Sequence, residues 1–160
     1  MKLLAIIAMM MSLFGNSGKP AGAFKYYEYR STTMREYPHE YYKLEVSEEQ
    51  GVTLSWAKSN SVITVLRVPE ETVQKLDAMI DEYKLPKLRK DYHPPFMVHD
   101  GMMWHVYIRY EKGGISSGGD NAWPGDPQKE GIKAVNAYFN TLIEASSEED
   151  IIEVKSNRDY

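Results

Sequence analysis

The stretch EYYKLEVSEEQGVTLSWAKSNSVITVLRV, residues 40–68, decides the fold of this chain. Its first residues alternate between apolar and polar side chains, which would place Tyr42 and Leu44 on one face. A period of two predicts a β-strand with one face exposed to water. Gly51 and the Ser-Asn pair at 59–60 predict turns, so the stretch divides into three strands. The last of these is apolar on both faces, and we therefore expect both of its faces to be covered.

Strands are also predicted on either side of this stretch. Residues 24–31 alternate in the same way, and so do residues 103–110. Residues 111–114 contain two glycines and predict a hairpin turn. The chain is then expected to return as a strand that begins at Ile115 and to continue as a glycine-rich loop through Pro124.

Two segments have the apolar period of an amphipathic helix. The first follows Pro69, which fits the first position of a helix. The second follows Asp126 and Pro127, which predict a capped first turn. The order of the elements predicts an α+β fold. We expect an antiparallel sheet of about six strands, formed by a four-strand meander and a hairpin, with two helices packed on it.

The first 23 residues predict an export signal. Lys2 precedes an apolar run at 3–14, and Ala21-Gly22-Ala23 has the small-x-small form that signal peptidases cleave. The run is shorter than the roughly 20 apolar residues of a membrane-spanning helix. The alternatives are an uncleaved N-terminal anchor and a buried helix, because Lys19 and Pro20 make the segment before the cleavage site rather long.

The predicted organisation is a signal peptide at 1–23, a single α+β domain at 24–145 and a charged C-terminal tail at 146–160, whose charge favours disorder. The mature protein is then expected in the periplasm, at the cell surface or in the medium, without membrane insertion. The chain has no cysteine, which excludes disulfides, thiol catalysis and cysteine-ligated metals. The formal net charge is −4, so nucleic acids are poor partners.

The most unusual segment lies between residues 97 and 124. It contains Asp100-Gly101, Trp104, Ser117-Gly118 and Asn121-Ala122-Trp123-Pro124. This pattern resembles a family of exported bacterial domains of unassigned function. In that family, Asp-Gly and Trp precede a strand, and a Ser-Gly-Asn-Ala-(Tyr/Trp)-Pro run follows a turn. The resemblance implies an exported bacterial domain and no particular activity.

This segment also supplies the candidate ligand site. Consecutive glycines can direct several backbone N–H groups at one anion. Arg109 would add a bidentate donor, and Trp123 would stack on a sugar or an aromatic ligand. The candidate site residues are Arg109, Ser116, Ser117, Gly118, Gly119, Asn121 and Trp123. Turn chemistry is the alternative explanation: Asn121 would bond to the backbone, and Trp123 would pack over the sheet edge.

The leading functional hypothesis is a non-catalytic exported domain, without a cofactor, that binds a small polar ligand or a cell-envelope protein. Exposed aromatic side chains, predicted at Tyr41, Tyr107 and Trp123, would suit such a surface. A structural or assembly protein with a free strand edge is a further alternative.

A small extracytoplasmic hydrolase is the catalytic alternative. It would use His105 with Ser116 or Ser117, or with a bound metal. Residues 114–118 have the Gly-x-Ser-x-Gly spacing around Ser116, but they follow a predicted hairpin turn and do not form the strand-to-helix elbow of a serine nucleophile. The other histidines nearby, His93 and His99, do not have the spacing of a metalloprotease motif, so neither a catalytic residue nor a metal site is predicted.

Overall fold

A computed structural model describes residues 18–59 and 61–156, which form an eight-stranded sheet with two helices packed against one face. The strands are β1 Phe24–Thr33, β2 Glu40–Ser47, β3 Gly51–Lys58, β4 Ile63–Arg67, β5 Asp91–Tyr92, β6 Met102–Tyr110, β7 Gly113–Asp120 and β8 Ile151–Lys155. The helices are α1 Glu71–Glu82 and α2 Gln128–Ala145, and short 3-10 turns follow each helix at Leu85–Lys87 and Glu148–Asp150.

The strand order is β5-β7-β6-β1-β2-β3-β4-β8. The α+β class is confirmed, and so are the meander β1 to β4 and the β6–β7 hairpin. The prediction of six antiparallel strands was wrong, because the sheet has eight strands and is mixed: β5 runs parallel to β7. β5 has only two residues and lies beside a proline-rich segment, so it carries no readable period.

The strand β8 forms one edge of the sheet and lies in the predicted charged tail, where the charge favours disorder. Its residues pair antiparallel with β4, from Ile63–Lys155 to Leu66–Ile151. Ordered structure therefore extends beyond residue 145. Because β4 has β3 on one side and β8 on the other, both of its edges are paired.

The main core lies between the sheet and the helices. The alternation along β1 and β2 places Tyr27 and Leu44 on this inner face, as their period of two predicts. From the helix side, Leu76 and Ile80 of α1 and Phe139 of α2 complete the core. Full burial of such a side chain contributes roughly 1.5–3 kcal/mol, so docking of the helices is the main source of stability at this face.

The outer face of the sheet has a smaller apolar cluster of its own. Tyr41, Ala57, Ile63 and Val65 are buried there, and Ile152 of β8 packs against them. The prediction that Tyr41 is an exposed aromatic was therefore wrong, since only 7% of it is exposed. Alternation correctly places Tyr41 on the outer face, but it does not show that β8 adds a strand whose Ile152 packs against the cluster there.

The start of α2 also differs from its prediction. The N-cap residue is Pro127, and no side chain caps the helix, so Asp126 does not have the predicted capping role. The predicted signal run at 3–14 lies outside the described residues. Within the described part of the chain, no helix has both the length and the apolar character needed to cross a membrane.

Candidate functional site

The strand that was predicted to begin at Ile115 does not give way to a glycine-rich anion-binding loop after Ser117, because Gly118 to Asp120 continue the strand. Gly113–Asp120 forms β7, which pairs with β6 along its whole length. On its other edge, the backbone N–H of Gly118 donates to the carbonyl of Lys90 at 2.9 Å. Successive N–H groups of a strand point in opposite directions within the sheet, so they do not converge on one anion. The prediction of a glycine loop was wrong because these small residues serve close packing between strands.

The sheet separates the predicted site residues onto two faces. Ser116 pairs with Tyr107, and Arg109 follows Tyr107 by two residues, so Arg109 and Ser116 share the outer face. Ser117 lies on the inner face, where it is almost fully buried and its hydroxyl donates to the carbonyl of Arg89 at 2.7 Å. The predicted residues are therefore not brought together as one site.

Trp104 is the centre of a compact structural cluster on the inner face. Its side chain is fully buried, and its Nε1 donates to the carbonyl of Ala122 at 2.8 Å. The ring of Trp123 stacks on it, with centroids 4.9 Å apart and an interplanar angle of 9°. Gly119 lies against the same ring, where an added Cβ would come within 2.9 Å of Trp104 Cε2 and still closer to the Ala122 oxygen. We call these four residues the Trp104 cluster.

Asn121 fixes the chain between the end of β7 and Ala122 of the Trp104 cluster. It has a positive φ of 51°, a conformation that asparagine tolerates better than most residues. Its Oδ1 accepts a hydrogen bond from the backbone N–H of Met102 at 3.0 Å, and its side chain lies against Gly101. The alternative reading of this segment as turn chemistry thus agrees with the geometry for Asn121.

A cleft opens beside Trp123, between the inner face of the sheet and α2. Its volume is about 330 Å³, at the small end of the range of roughly 300–1,000 Å³ for ligand pockets. We call it the α2 cleft. Its polar and aromatic lining residues are Tyr29, Glu40, Trp123, Lys133, Asn136 and Asn140.

Asn136 is the unusual residue of the α2 cleft. Its Oδ1 is buried and has no hydrogen-bond partner. A buried polar atom without a partner costs roughly 1–3 kcal/mol. By contrast, Asn140 Oδ1 accepts from Tyr42 Oη at 3.1 Å and from Lys58 Nζ at 2.9 Å. One of the two amides that α2 presents to the cleft is therefore fixed, and the other has an unused acceptor.

The other polar residues define the charge of the α2 cleft. Burial raises the pKa of Tyr29 to about 12, so this side chain is neutral at physiological pH. Lys133 lies at the rim and pairs with Glu130 at 3.2 Å. The remaining charged group is the carboxylate of Glu40. The cleft thus has two acceptors, Glu40 and Asn136, beside the aromatic side chains.

A wider groove of about 520 Å³ lies at the end of β1 and the start of β6. It is lined by Thr33, Met34, Arg35, Asp100 and Gly101, four of which are exposed. No buried polar atom without a partner lines it. The groove is larger than the α2 cleft but has less of the chemistry of a binding site.

The residues of the hydrolase hypothesis are only partly brought together. His105 is on the outer face, opposite Gly118, and its ring stacks on Tyr107 at 6.0 Å. Ser117 is on the other face and cannot act with it. Ser116 is a diagonal neighbour of His105 on the outer face, but no hydrogen bond between the two occurs in the described part of the chain. Residues 18–59 and 61–156 contain no group of three or more histidine and acidic side chains that could hold a metal ion.

Comparison of the chain with protein families, with curated proteins and with solved structures found no match. The resemblance to a family of exported bacterial domains therefore stays a prediction. Of the residues predicted for the ligand site, Trp123 is the one that lines the α2 cleft.

Proposed function

We propose that this protein is an exported, non-catalytic binding domain, and that the α2 cleft holds a small hydroxyl-bearing molecule of monosaccharide size. The buried, unpartnered Oδ1 of Asn136 carries this proposal. This oxygen is almost inaccessible to solvent, so a ligand hydroxyl can donate to it only after the Asn136 side chain turns toward the cleft. That hydrogen bond would recover the cost of burying the acceptor.

The chemistry of the α2 cleft favours a ligand that donates hydrogen bonds. Glu40 and Asn136 both provide acceptors, whereas the cation at the rim, Lys133, already has a carboxylate partner. Trp123 and Tyr29 add aromatic surface, against which the C–H groups of a sugar ring can pack. A strongly anionic ligand would meet the carboxylate of Glu40 and is disfavoured.

A thermal-shift screen of the whole chain against neutral monosaccharides, polyols and amino acids tests the proposal. A ligand present at 100 times its Kd adds roughly 2.7 kcal/mol to the free energy of unfolding. For a domain of this size, we expect the melting temperature to rise by roughly 5–10 °C. Stabilisation by a sugar or polyol supports the proposal, and stabilisation by amino acids alone redirects it to a ligand with an ammonium donor.

Variants in α2 separate binding from general stabilisation. Asn136→Ala removes the unpartnered acceptor, and we expect the stabilisation by ligand to be lost while the fold is retained. Glu144→Gln is the matched control, because Glu144 is exposed on the same helix and does not line the cleft. Equal ligand-induced shifts in both variants would refute the role of Asn136.

A further inference from the structure

The residues just before the predicted domain boundary form part of the fold. Lys19 is only 18% exposed, and its Nζ lies 2.8 Å from Asp77 Oδ1 and 2.8 Å from Asp81 Oδ2 of α1. The same nitrogen lies 5.4 Å from the centre of the Tyr110 ring of β6. Lys19 thus joins the helix layer to the sheet through three contacts.

The partners of Lys19 depend on each other. The hydroxyl of Tyr110 donates to Asp77 Oδ1 at 2.6 Å, and this tyrosine is almost fully buried. Burial and the neighbouring carboxylates of Asp77 and Asp81 raise the pKa of Tyr110 well above its usual value. Without Lys19, no cation would lie between the carboxylates of Asp77 and Asp81. Two like charges close together beside the buried ring of Tyr110 are unfavourable.

Backbone hydrogen bonds hold the following residues against the β6–β7 hairpin. The N–H of Lys112 donates to the carbonyl of Ala21 at 3.0 Å, and the N–H of Glu111 donates to the carbonyl of Ala23 at 2.8 Å. Pro20 packs against the site of Gly113, where an added Cβ would lie 3.3 Å from it. Cleavage after Ala23 would remove Lys19 and the carbonyl acceptors of Ala21 and Ala23 from the fold.

We propose that the mature domain begins at Gly18, and that the export signal is cleaved after Ser17 and not after Ala23. This inference rests on the proposed export of the protein. Gly15-Asn16-Ser17 has the same small-x-small form as Ala21-Gly22-Ala23 and lies directly after the apolar run. Cleavage there leaves the Lys19 contacts in the mature protein.

The mass of the exported protein tests the cleavage site. The full chain is produced in a bacterium with a C-terminal tag, and the intact mass of the extracytoplasmic product is measured. A product that begins at Gly18 supports the inference. A product that begins at Phe24 overturns it and leaves export intact, whereas a chain that stays in the cytoplasm with Met1 overturns export and this inference together.

Two pairs of variants test the cleavage site by measurements other than the intact mass. A bulky residue at the last position before the cut blocks cleavage, so Ser17→Leu should accumulate the precursor while Ala23→Leu is processed normally. In the exported product, Lys19→Met should lower the melting temperature by roughly 3–6 °C. The control Lys25→Met, at an exposed position, should leave it unchanged. The opposite pattern of processing, or no thermal effect of Lys19→Met, would overturn the inference.

Discussion

A single methyl group at Gly119 should destabilise the fold strongly. The Cβ of Gly119→Ala would overlap the ring of Trp104 and the carbonyl oxygen of Ala122, and these two groups are joined by a 2.8 Å hydrogen bond. Overpacking of a core costs roughly 1–3 kcal/mol, and a lost hydrogen bond that leaves a buried group unpaired costs roughly 1–3 kcal/mol more. We therefore expect a loss of about 3 kcal/mol, a large part of the roughly 5–15 kcal/mol that stabilises a domain.

Urea unfolding followed by tryptophan fluorescence measures this loss directly. At a slope of roughly 2 kcal/mol per molar urea, the midpoint should fall by about 1.5 M. Gly125→Ala is the matched control, because nothing lies within 4 Å of a Cβ added there, and its effect should stay within about 0.5 kcal/mol. If Gly119→Ala unfolds within 0.5 kcal/mol of the wild type, the Trp104 cluster is not the close-packed structure described here.

Three further results are expected. First, the free energy of unfolding should fall above pH 10, because burial raises the pKa of Tyr29 to about 12 and the unfolded chain therefore loses this proton first. The slope approaches about 1.4 kcal/mol per pH unit. A flat profile from pH 9 to 11 in thermal melts would contradict this. Second, Phe139→Ala, at a fully buried position of α2, should cost roughly 3–5 kcal/mol in urea unfolding, and a loss below 1 kcal/mol would mean that α2 is not docked as described. Third, Ser117→Ala removes the hydrogen bond to Arg89 and should cost roughly 1–2 kcal/mol in the same assay without changing ligand binding, whereas lost binding would return Ser117 to the ligand site.

The parts of the fold that the sequence predicts are those in which one period continues over many residues. The meander and the face of Tyr27 follow from alternation, and the helices follow from their apolar stripe. β5 was missed because its two residues carry no readable period. β8 was missed because the charges of Glu153 and Lys155 resemble those of a solvated tail, although this strand pairs with the second edge of β4.

The predicted site failed for a physical reason that can be seen at two adjacent residues. Ser116 and Ser117 belong to one loop only if the glycines around them bend the chain. In a strand, they point to opposite faces. Glycines in β7 allow Trp104 and His105 to lie against the strand, and the sequence does not distinguish this role from loop formation. The α2 cleft was missed because Glu40 and Asn136 meet only after α2 has docked on the sheet.

The most direct test of the binding proposal is an NMR titration of the labelled chain with the sugar or polyol that stabilises it best. The indole N–H of Trp123 and the side-chain amide of Asn136 should shift in a saturable manner with one common Kd, while the backbone amide of Glu144 stays in place. Shifts confined to residues outside the α2 cleft, or no saturable shift with any sugar or polyol in the panel, would contradict the account.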